Sequence, residues 1–292
     1  MSYLGIDAGA TATKWALYDG SQIVDSGKCA AMDGHIYRAE SKARANEVLA
    51  EISAAVNGAE ISGVFAGITG AASEDSATDP LGQIFHSYFP NAKVRVVHDI
   101  ELAYYANFEV GEGILLYAGT GSVAMYIDDE AGPVRAGGWG YLLGDEGAAF
   151  WIGRESIRWV LAGLDTGEEV EPDSLSDVIL KEIGATNWDG IKAFVYSSER
   201  SEIAKLAATV GRLADAGNAD AQGIIYEASQ FLIALVHQLD TQIDNAPRIV
   251  IAGGVCQEGS FLAKALHSFF SERISISDCD IAQRAAELAL DI

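Results

Sequence analysis

Residues 7–13 read Asp-Ala-Gly-Ala-Thr-Ala-Thr and lie between two short apolar runs. Residues 118–122 read Ala-Gly-Thr-Gly-Ser and are flanked in the same way. Each pattern predicts a β-hairpin whose turn consists of small residues that carry hydroxyl groups. Glycine in such a turn lets backbone N–H groups approach a phosphate closely, because no Cβ is in the way. The two turns together predict two related domains that hold one polyphosphate from opposite sides.

The composition restricts the kinds of partner that the chain can bind. The 292 residues are 49% hydrophobic and 21% charged, which predicts a globular protein of more than one domain. There are 42 acidic residues against 19 lysines and arginines, so the net charge is −23. This charge argues against a nucleic-acid partner and against an anionic membrane surface. A phosphate ligand would therefore need backbone dipoles and a divalent cation to hold it.

The cysteines and the first residues of the chain indicate its compartment. Cys29, Cys256 and Cys279 are scattered and form neither a metal-binding motif nor a disulfide framework. The first residues lack the basic and apolar segments of a secretory leader, and the longest apolar runs are too short to span a bilayer. The sequence therefore predicts a cytoplasmic protein with no membrane-spanning segment.

Strand and helix patterns alternate along the chain, which predicts an α/β fold. The acidic, glycine-containing segment 108–113 is the best domain boundary, because the second hairpin follows it directly. A helix is expected to begin near Glu146, and residues 175–239 are nearly all helical in pattern. A strand at 248–252 and two further helices complete the pattern.

Two aspartates lie at the ends of predicted strands, where α/β folds place ligand-binding groups. Asp7, beside the first turn, suits a Mg²⁺ ligand that acts through water, and Thr11 and Thr13 can donate to phosphate oxygens. Asp99 follows the strand at 94–98 and could accept the proton of an attacking hydroxyl. The alternatives are an ordinary turn residue for Asp7 and a helix N-cap for Asp99.

Two glycine-rich segments in the second half of the chain suggest ligand contacts. Gly137–Gly147 contains five glycines in eleven residues, together with an Asp-Glu pair. Because glycine has an entropic cost, we expect the backbone to bend tightly or to approach a ligand there. Asp145 could accept hydrogen bonds from sugar hydroxyls; the alternative is a flexible loop before an acidic first helix turn. Gly253 and Gly254 follow an apolar strand and could admit an adenine or a ribose against the backbone.

Taken in order, these segments resemble the N-acetylglucosamine kinase family. This is a family of BadF/BadG/BcrA/BcrD-type ATPases within the superfamily of sugar kinases, actin and heat-shock ATPases. Residues 7–13 and 118–122 resemble its two phosphate motifs, and residues 252–254 resemble its adenosine motif. The most specific part is residues 137–147, where Gly-Gly-Trp-Gly and Gly-Asp-Glu-Gly resemble the family's sugar-side signature.

The resemblance implies a fold and an assembly. The fold is α/β, with two actin-like (ribonuclease H-like) domains around a central nucleotide and sugar cleft. The expected domains are residues 1–112 and 113–292, and the last helix, about 281–292, is expected to pack back on the first domain. The resemblance also implies a homodimer.

The resemblance further implies roles for individual residues. Asp99 would act as general base toward the sugar 6-hydroxyl, and Asp7 would hold Mg²⁺ through water. ATP would be bound by the three nucleotide motifs, at Gly9, Thr11, Thr13, Gly119, Thr120, Gly121, Gly253 and Gly254. The sugar would be bound by Asp33, Asp99, Thr120, Gly137, Gly138 and Asp145. The implied ligands are thus ATP, Mg²⁺ and an amino sugar.

Some positions depart from the family pattern. Ala8 and Ala10 replace glycines in the first phosphate motif, so this turn should be less permissive. The loop 26–35 lacks the asparagine that usually contacts the sugar, and its polar options are Asp33 and His35. The resemblance as a whole still predicts an ATP-dependent kinase that acts on the 6-hydroxyl of N-acetylglucosamine or a close relative. Glucosamine is the alternative, because an anionic Asp33 could prefer a free 2-amino group.

Two rival functions follow from the same resemblance. An activator ATPase of a 2-hydroxyacyl-CoA dehydratase needs cysteines for an iron–sulfur cluster, and no cysteine lies near the second phosphate turn. A non-catalytic sugar sensor would bind its ligand without turnover, and the presence of Asp7 and Asp99 argues against it.

Overall fold

The computed structural model describes residues 1–9, 11–71, 80–243 and 247–292. These residues divide into two units. The first unit comprises Met1–Glu109 and Asp278–Ile292, and the second comprises Val110–Ser277. Within the described ranges, no helix is both long enough and apolar enough to cross a bilayer.

The strands and helices are numbered in chain order. The strands are β1 (Ser2–Ala8), β2 (Thr13–Tyr18), β3 (Ile23–Cys29), β4 (Ile61–Ile68), β5 (Lys93–His98), β6 (Gly113–Ala118), β7 (Ser122–Asp128), β8 (Gly132–Gly137), β9 (Arg248–Ala252) and β10 (Ile274–Ile276). The helices are α1 (Ala39–Ala55), α2 (Pro80–Tyr88), α3 (Asp99–Asn107), α4 (Ala149–Thr166), α5 (Leu175–Ile183), α6 (Trp188–Ser197), α7 (Arg200–Asp215), α8 (Ala219–Asp240), α9 (Phe261–Phe270) and α10 (Ile281–Leu288).

The sheet of the first unit has the strand order β3-β2-β1-β4-β5. Strands β1, β2 and β3 are antiparallel neighbours, whereas β4 and β5 run parallel to β1. Parallel neighbours need a crossover, and helix α1 lies between β3 and β4 in the chain. The carboxyl ends of β1, β4 and β5 therefore meet at one edge of the sheet.

Helix α1 shows why this unit has a well-packed core. Ala45, Val48, Leu49 and Ile52 recur at helical spacing, and each side chain is at most 1% exposed. They form one hydrophobic cluster with the buried residues of β1 and β4. Burying such a stripe is the main source of stability for an amphipathic helix.

Helix α10 packs against β1 at very short range. A Cβ on Gly5 would lie 2.1 Å from the carbonyl oxygen of Ala282 and 2.3 Å from the backbone nitrogen of Ala286. A Cβ on Gly63 would lie 2.3 Å from the carbonyl oxygen of Ala289. Glycine on the sheet and alanine on the helix therefore allow a close approach that larger residues would prevent.

The sheet of the second unit repeats this topology, with the strand order β10-β9-β6-β7-β8. Strands β6, β7 and β8 are antiparallel neighbours, and β9 and β10 run parallel to β6. Its core combines these strands with helices α4 to α9. The predicted α/β fold class is confirmed, and each unit begins with one of the two glycine-threonine hairpins.

Two local predictions were wrong. Helix α4 begins at Ala149 and not near Glu146, because Asp145 (φ 64°) and Gly147 (φ 82°) adopt left-handed conformations that a helix excludes. Strand β10 was not predicted, since three residues carry too little periodicity. In the helical stretch, α5 ends at Ile183, followed by the left-handed C-cap Gly184 (φ 67°), and α6 begins after the N-cap Asn187.

Candidate functional site

Asp7 and Asp99 lie at the edge of the first unit's sheet where three parallel strands end. Thr69, directly after β4, connects the end of β1 to Asp99. Its backbone N–H donates to the carbonyl of Ala8 at 2.9 Å. Its hydroxyl donates to Oδ2 of Asp99 at 2.5 Å. Thr69 was not predicted as a site residue. Its position directly after a buried strand and before Gly70 was the signal that could have identified it.

Asp99 is the first residue of α3, and the N-cap is His98. The Asp99 side chain is 19% exposed, so it remains accessible. Its Oδ1 accepts the backbone N–H of Ile100 at 3.0 Å and lies 2.7 Å from Nδ1 of His98. Both carboxylate oxygens are thus held, and the group has a defined orientation.

Asp7 has an unusual electrostatic environment. The pKa of its carboxyl is raised to about 6, mainly by burial and further by the negative charges of Asp99 and Asp280, against the opposing charge of Lys14. The charges of two other carboxylates therefore act on Asp7. Among the described residues, no group of three or more His, Cys, Asp or Glu side chains has a geometry suited to direct metal binding.

The turn between β1 and β2, which the sequence predicted to bind phosphate, is closed by a hydrogen bond from the N–H of Gly9 to the carbonyl of Ala12 at 3.1 Å. Thr11 is exposed, whereas Thr13 is fully buried and its hydroxyl has no partner among the described residues. Ala8 is buried in the hydrophobic core, so its methyl group does not occupy the outer face of the turn. Ala10 lies outside the described residues.

The turn between β6 and β7, the second predicted phosphate turn, brings together most of the residues that the sequence indicated in this unit. The N–H of Gly119 donates to the carbonyl of Gly121 at 2.9 Å, and Thr120 lies between them. The carbonyl of Gly119 accepts the N–H of Ala149 at 2.9 Å, at the start of α4. The turn is therefore fixed to the helix that follows the glycine-rich block.

The glycine-rich block begins beside this turn. The N–H of Gly138 donates to the carbonyl of Ser122 at 3.0 Å. Gly137 and Gly138 have φ angles of 76° and 70°, which favour glycine. A Cβ on Gly137 would lie 2.8 Å from the side chain of Leu235. Both glycines therefore permit a bend that keeps the block against the second turn.

Residues 252–254, which the sequence predicted to contact adenosine, reach the same turn from β9. Gly253 has a φ of 102°, and a Cβ there would lie 2.4 Å from the carbonyl oxygen of Ala118. The N–H of Val255 donates to that carbonyl at 3.2 Å. By contrast, a Cβ on Gly254 would have no atom within 4 Å. Gly253 is thus required for packing, and Gly254 faces open space.

Replacing Gly253 by alanine is expected to destabilise the second unit by about 2 kcal/mol or more, since it combines a strained φ with a backbone clash. Gly254→Ala is the matched control and should change the unfolding free energy by less than about 0.5 kcal/mol. Chemical denaturation of both variants measures the difference. Equal stability of the two variants would contradict the assigned backbone contact.

Asp145 is held by a residue that the sequence did not indicate. Its side chain is 5% exposed, and Nη2 of Arg200 donates to its Oδ2 at 2.8 Å. Its Oδ1 accepts a long bond, 3.5 Å, from the N–H of Ser122. A Cβ on Gly121 would lie 2.5 Å from Oδ2, and the guanidinium stacks 5.0 Å from the ring centre of Tyr141. No local pattern around Arg200 distinguishes it from other helix-start residues.

Replacing Arg200 by glutamine is expected to cost about 2–4 kcal/mol of stability, because it leaves a buried carboxylate without its cation. The double variant Arg200→Gln/Asp145→Asn should recover part of this loss. Arg248→Gln is the matched control, since Arg248 and Glu112 form an exposed pair at 2.7 Å worth less than about 1 kcal/mol. Chemical denaturation measures the unfolding free energies of both arginine variants. Values within about 0.5 kcal/mol of each other would contradict this role.

Asp33 is engaged within its own loop. Its Oδ1 accepts the backbone N–H of His35 at 2.8 Å and lies 2.9 Å from Nδ1 of the same residue. Its Oδ2 accepts the hydroxyl of Ser41 at 3.1 Å. Partial burial acts to raise the pKa of Asp33, but these hydrogen bonds outweigh it and hold the pKa below its ordinary value. The N–H of Gly34 donates to the carbonyl of Thr69 at 2.9 Å, which connects the loop to the strand edge.

Comparison with known proteins identifies the family. The sequence profile of the BadF/BadG/BcrA/BcrD ATPase family matches residues 4–283. The chain belongs to this family. The match spans residues 7–13, 118–122, 137–147 and 252–254, so the family part of the predicted resemblance is confirmed.

Two curated relatives and one solved structure illustrate the similarity. The chain is 30% identical over 185 residues to the N-acetylmuramic acid/N-acetylglucosamine kinase of Clostridium acetobutylicum, covering 61% of this chain and 60% of that protein. It is 26% identical over 192 residues to the N-acetyl-D-glucosamine kinase of Dictyostelium discoideum, covering 61% and 59%. The alignments thus span about three fifths of either relative. A ROK family glucokinase from Streptomyces griseus shares the fold, with a TM-score of 0.66, 16% identity and coverage of 100% of both chains.

Proposed function

We propose that this protein is an ATP-dependent amino-sugar kinase that phosphorylates the 6-hydroxyl of N-acetylglucosamine or a close relative. The observation that carries the proposal is the Asp99 carboxylate, held in one orientation by Thr69 and by the N–H of Ile100. Family membership and the activities named for the two curated relatives support ATP and an amino sugar as substrates. Phosphoryl transfer depends mainly on positioning and charge stabilisation, which fixed groups of this kind provide.

Asp99 acts as the general base in this proposal. It takes the proton of the sugar 6-hydroxyl as the hydroxyl oxygen bonds to the terminal phosphorus of ATP and the bond to ADP breaks. Because Thr69 and Ile100 hold the carboxylate, its orientation does not have to be established when the sugar binds. Its 19% exposure leaves room for the sugar to approach.

Asp7 would hold Mg²⁺ through water. A carboxylate is a suitable ligand for this cation, which usually keeps several of its waters. Burial is the main cause of the raised pKa of Asp7, and the negative charges of Asp99 and Asp280, which raise it further, are ones that a divalent cation would offset. When bound, Mg²⁺ supplies charge neutralisation for the phosphate groups.

The turns and the adenosine motif would bind ATP. Gly9 and Thr11 in the first unit, and Gly119, Thr120 and Gly121 in the second, would contact phosphate oxygens. The exposed position of Thr11 supports this assignment, whereas the hydroxyl of Thr13 is fully buried and out of reach of a phosphate in this conformation. Gly253 and Gly254 would face the adenosine, and the open space at Gly254 supports this assignment.

Asp145 would accept hydrogen bonds from sugar hydroxyls beside Gly137 and Gly138. Arg200 donates to its Oδ2 at 2.8 Å, whereas the hydrogen bond that Oδ1 accepts from Ser122 is long, at 3.5 Å. Oδ1 therefore has acceptor capacity for a hydroxyl group. The left-handed backbone at Asp145 supports a ligand-related role, because strained residues cluster at such sites.

Glucosamine is the alternative substrate, and the lowered pKa of Asp33 supports it because the hydrogen bonds that lower it keep this carboxylate ionised. If an ammonium group at C2 pairs with Asp33, Asp33→Asn should lower kcat/KM for glucosamine relative to N-acetylglucosamine by about tenfold. Asp25→Asn, on the exposed outer strand β3, is the control. An unchanged ratio would exclude the glucosamine alternative and leave N-acetylglucosamine as the preferred substrate.

The test is ADP release with Mg²⁺ and ATP in the presence of N-acetylglucosamine, glucosamine, N-acetylmuramic acid, N-acetylmannosamine or glucose. We expect sugar-dependent ADP release with an amino sugar and none with 6-deoxy-N-acetylglucosamine, which lacks the reacting hydroxyl. Phosphorus–proton correlation in the NMR spectrum of the product identifies the phosphorylated carbon. Sugar-independent ATP hydrolysis would favour an activator ATPase, and sugar binding without turnover would favour a sensor.

We also propose a cytoplasmic location and a homodimer. ATP and intracellular sugars are available in that compartment, and a dimer is the assembly that the family resemblance implies. Sedimentation equilibrium of the purified protein tests the assembly, and a purely monomeric protein at micromolar concentration would contradict it.

A further inference from the structure

The ion pair of Asp145 and Arg200 in the second unit is not explained by stability alone. Removing the arginine would leave an unpaired carboxylate, but a hydrophobic pair of similar volume is often as stable as a buried ion pair. Arg200 is also the first residue of α7, where the helix dipole opposes a cation. Its Nε is buried and has no hydrogen-bond partner among the described residues. These local costs indicate a functional reason for the arginine.

Gly121, in the turn between β6 and β7, makes room for this ion pair. It does not have a left-handed φ, so its backbone conformation would accept a side chain. A Cβ there would, however, lie 2.5 Å from Oδ2 of Asp145 and 2.9 Å from Nη2 of Arg200. The pair therefore lies directly against the second predicted phosphate turn, at the candidate ligand site of this unit.

The guanidinium of Arg200 is held in place by the protein itself. Its Nη2 donates to Oδ2 of Asp145 at 2.8 Å, and its centre lies 5.0 Å from the ring centre of Tyr141. The Tyr141 ring contacts the buried Phe150 edge to face, with ring centres 5.0 Å apart. A ligand that binds to this guanidinium therefore has little side-chain freedom to restrict.

The ion pair leaves one donor and one acceptor for a ligand. Nη1 of Arg200 forms no hydrogen bond with the described residues and is not buried. The Arg200 side chain is 31% exposed, so a ligand can reach it. On the other partner, Oδ1 of Asp145 accepts only weakly from Ser122, at 3.5 Å. Because both groups are planar and a short bond joins them, Nη1 and Oδ1 lie within the width of one sugar ring of each other.

We infer that Arg200 is a sugar-binding residue, and that the ion pair binds two adjacent hydroxyl groups of the sugar. One hydroxyl donates to Oδ1 of Asp145, and the oxygen of its neighbour accepts from Nη1 of Arg200. The inference rests on the proposed function, which places a sugar beside Asp145. In the pyranose ring of N-acetylglucosamine, the hydroxyls on C3 and C4 are the only adjacent pair, since C2 carries the amide. The ion pair therefore recognises the C3–C4 edge of the ring.

The first test uses the unmodified protein and needs no turnover. Calorimetric titration compares N-acetylglucosamine with its 3-deoxy and 4-deoxy analogues. Each analogue should bind at least about tenfold more weakly, because each loses a hydrogen bond to a charged group. If either analogue binds within about threefold of N-acetylglucosamine, the two-hydroxyl arrangement is wrong.

The second test assigns one of the two hydroxyls to Arg200. Arg200→Lys keeps a cation beside Asp145, but an ammonium lacks the second nitrogen that would reach the sugar. N-acetylglucosamine should bind to this variant about tenfold more weakly, and one of the two deoxy analogues should now bind within about threefold of it. The other analogue should keep its tenfold deficit, since Asp145 is unchanged.

Arg158→Lys is the matched control. Arg158 lies on α4, is exposed and pairs with Glu155 at 3.0 Å, so this variant should keep both deficits. If both deficits persist in Arg200→Lys, or if both disappear, Arg200 does not bind one of the two hydroxyls and the inference is overturned.

The outcomes separate this inference from the proposed function. If N-acetylglucosamine is phosphorylated but the deficits do not respond to Arg200→Lys, the inference is wrong and the kinase proposal stands. If the sugar binds with the expected deficits but ADP release shows no turnover, the kinase proposal is wrong and the role of Arg200 stands. If N-acetylglucosamine does not bind, the inference is overturned.

Discussion

Asp99→Asn is expected to lower kcat for the preferred amino sugar by about 10²-fold or more. The amide has nearly the same shape as the carboxylate, and its oxygen can still accept a hydrogen bond from Thr69 or from the N–H of Ile100. It cannot take the proton of the 6-hydroxyl at neutral pH. The loss should therefore appear in kcat, measured as ADP release at saturating sugar and ATP.

Two measurements make this result specific to the base. Calorimetry should give a sugar affinity within about threefold of the unmodified protein, because the side chain keeps its shape. Asp25→Asn, at an exposed position on β3, controls for the loss of one negative charge from this unit. A kcat within threefold of the unmodified protein for Asp99→Asn would refute the assigned role.

Asp7→Asn is expected to stabilise the first unit while it impairs phosphoryl transfer. Burial and two neighbouring carboxylates raise the pKa of Asp7 from 3.8 to about 6, so the folded state disfavours the ionised form. The resulting penalty is small below pH 3.8, grows as the pH rises and is complete above pH 6. At 1.36 kcal/mol for each pKa unit, it amounts to about 3 kcal/mol at pH 8.

The asparagine variant has no such charge, so its advantage in stability should be about 1–3 kcal/mol at pH 8 and should shrink toward pH 4. Denaturation at both pH values measures this trend, with Asp25→Asn as the control for net charge. A variant that is less stable than the unmodified protein at pH 8 would contradict the electrostatic account of Asp7.

The same variant tests the metal assignment. Added Mg²⁺ and ATP should raise the unfolding midpoint of the unmodified protein more than that of Asp7→Asn. The reason is that the carboxylate carries a negative charge that attracts the cation, and the amide does not. In the unmodified protein, the response to Mg²⁺ should weaken below pH 6, as Asp7 takes up a proton. An equal response of both proteins at pH 8 would remove Asp7 from the proposed metal site.

If Asp7→Asn is more stable but less active than the unmodified protein, Asp7 serves function at a cost in stability. Binding and catalytic groups are often held in surroundings that disfavour them, and the rest of the fold offsets the cost. Asp7 fits this description, since it is buried close to Asp99 and Asp280.

Local patterns in the sequence were sufficient to predict the elements that carry the candidate site. The alternation of apolar residues identified β1 and β2, and the small residues between them identified the turn. The spacing of the apolar residues in α1 identified a buried helix face. These signals are local because strand pleat, helix period and turn geometry depend on neighbouring residues.

The contacts that define the candidate site are not local. Thr69 and Asp99 are 30 residues apart, and Asp145 and Arg200 are 55 residues apart. The register of parallel strands brings the first pair together, and the packing of α4 against α7 accompanies the second. No propensity of the individual residues encodes either contact.

The amino-acid sequence alone therefore determined the α/β class, the two hairpins with their glycine turns, and the positions of Asp7 and Asp99 at strand ends. These features follow from the chemistry of adjacent residues. The tertiary structure alone decided which groups orient Asp99, which cation neutralises Asp145 and how far the pKa of Asp7 rises. Those properties depend on distances and burial, and both arise only when segments far apart in the chain pack together.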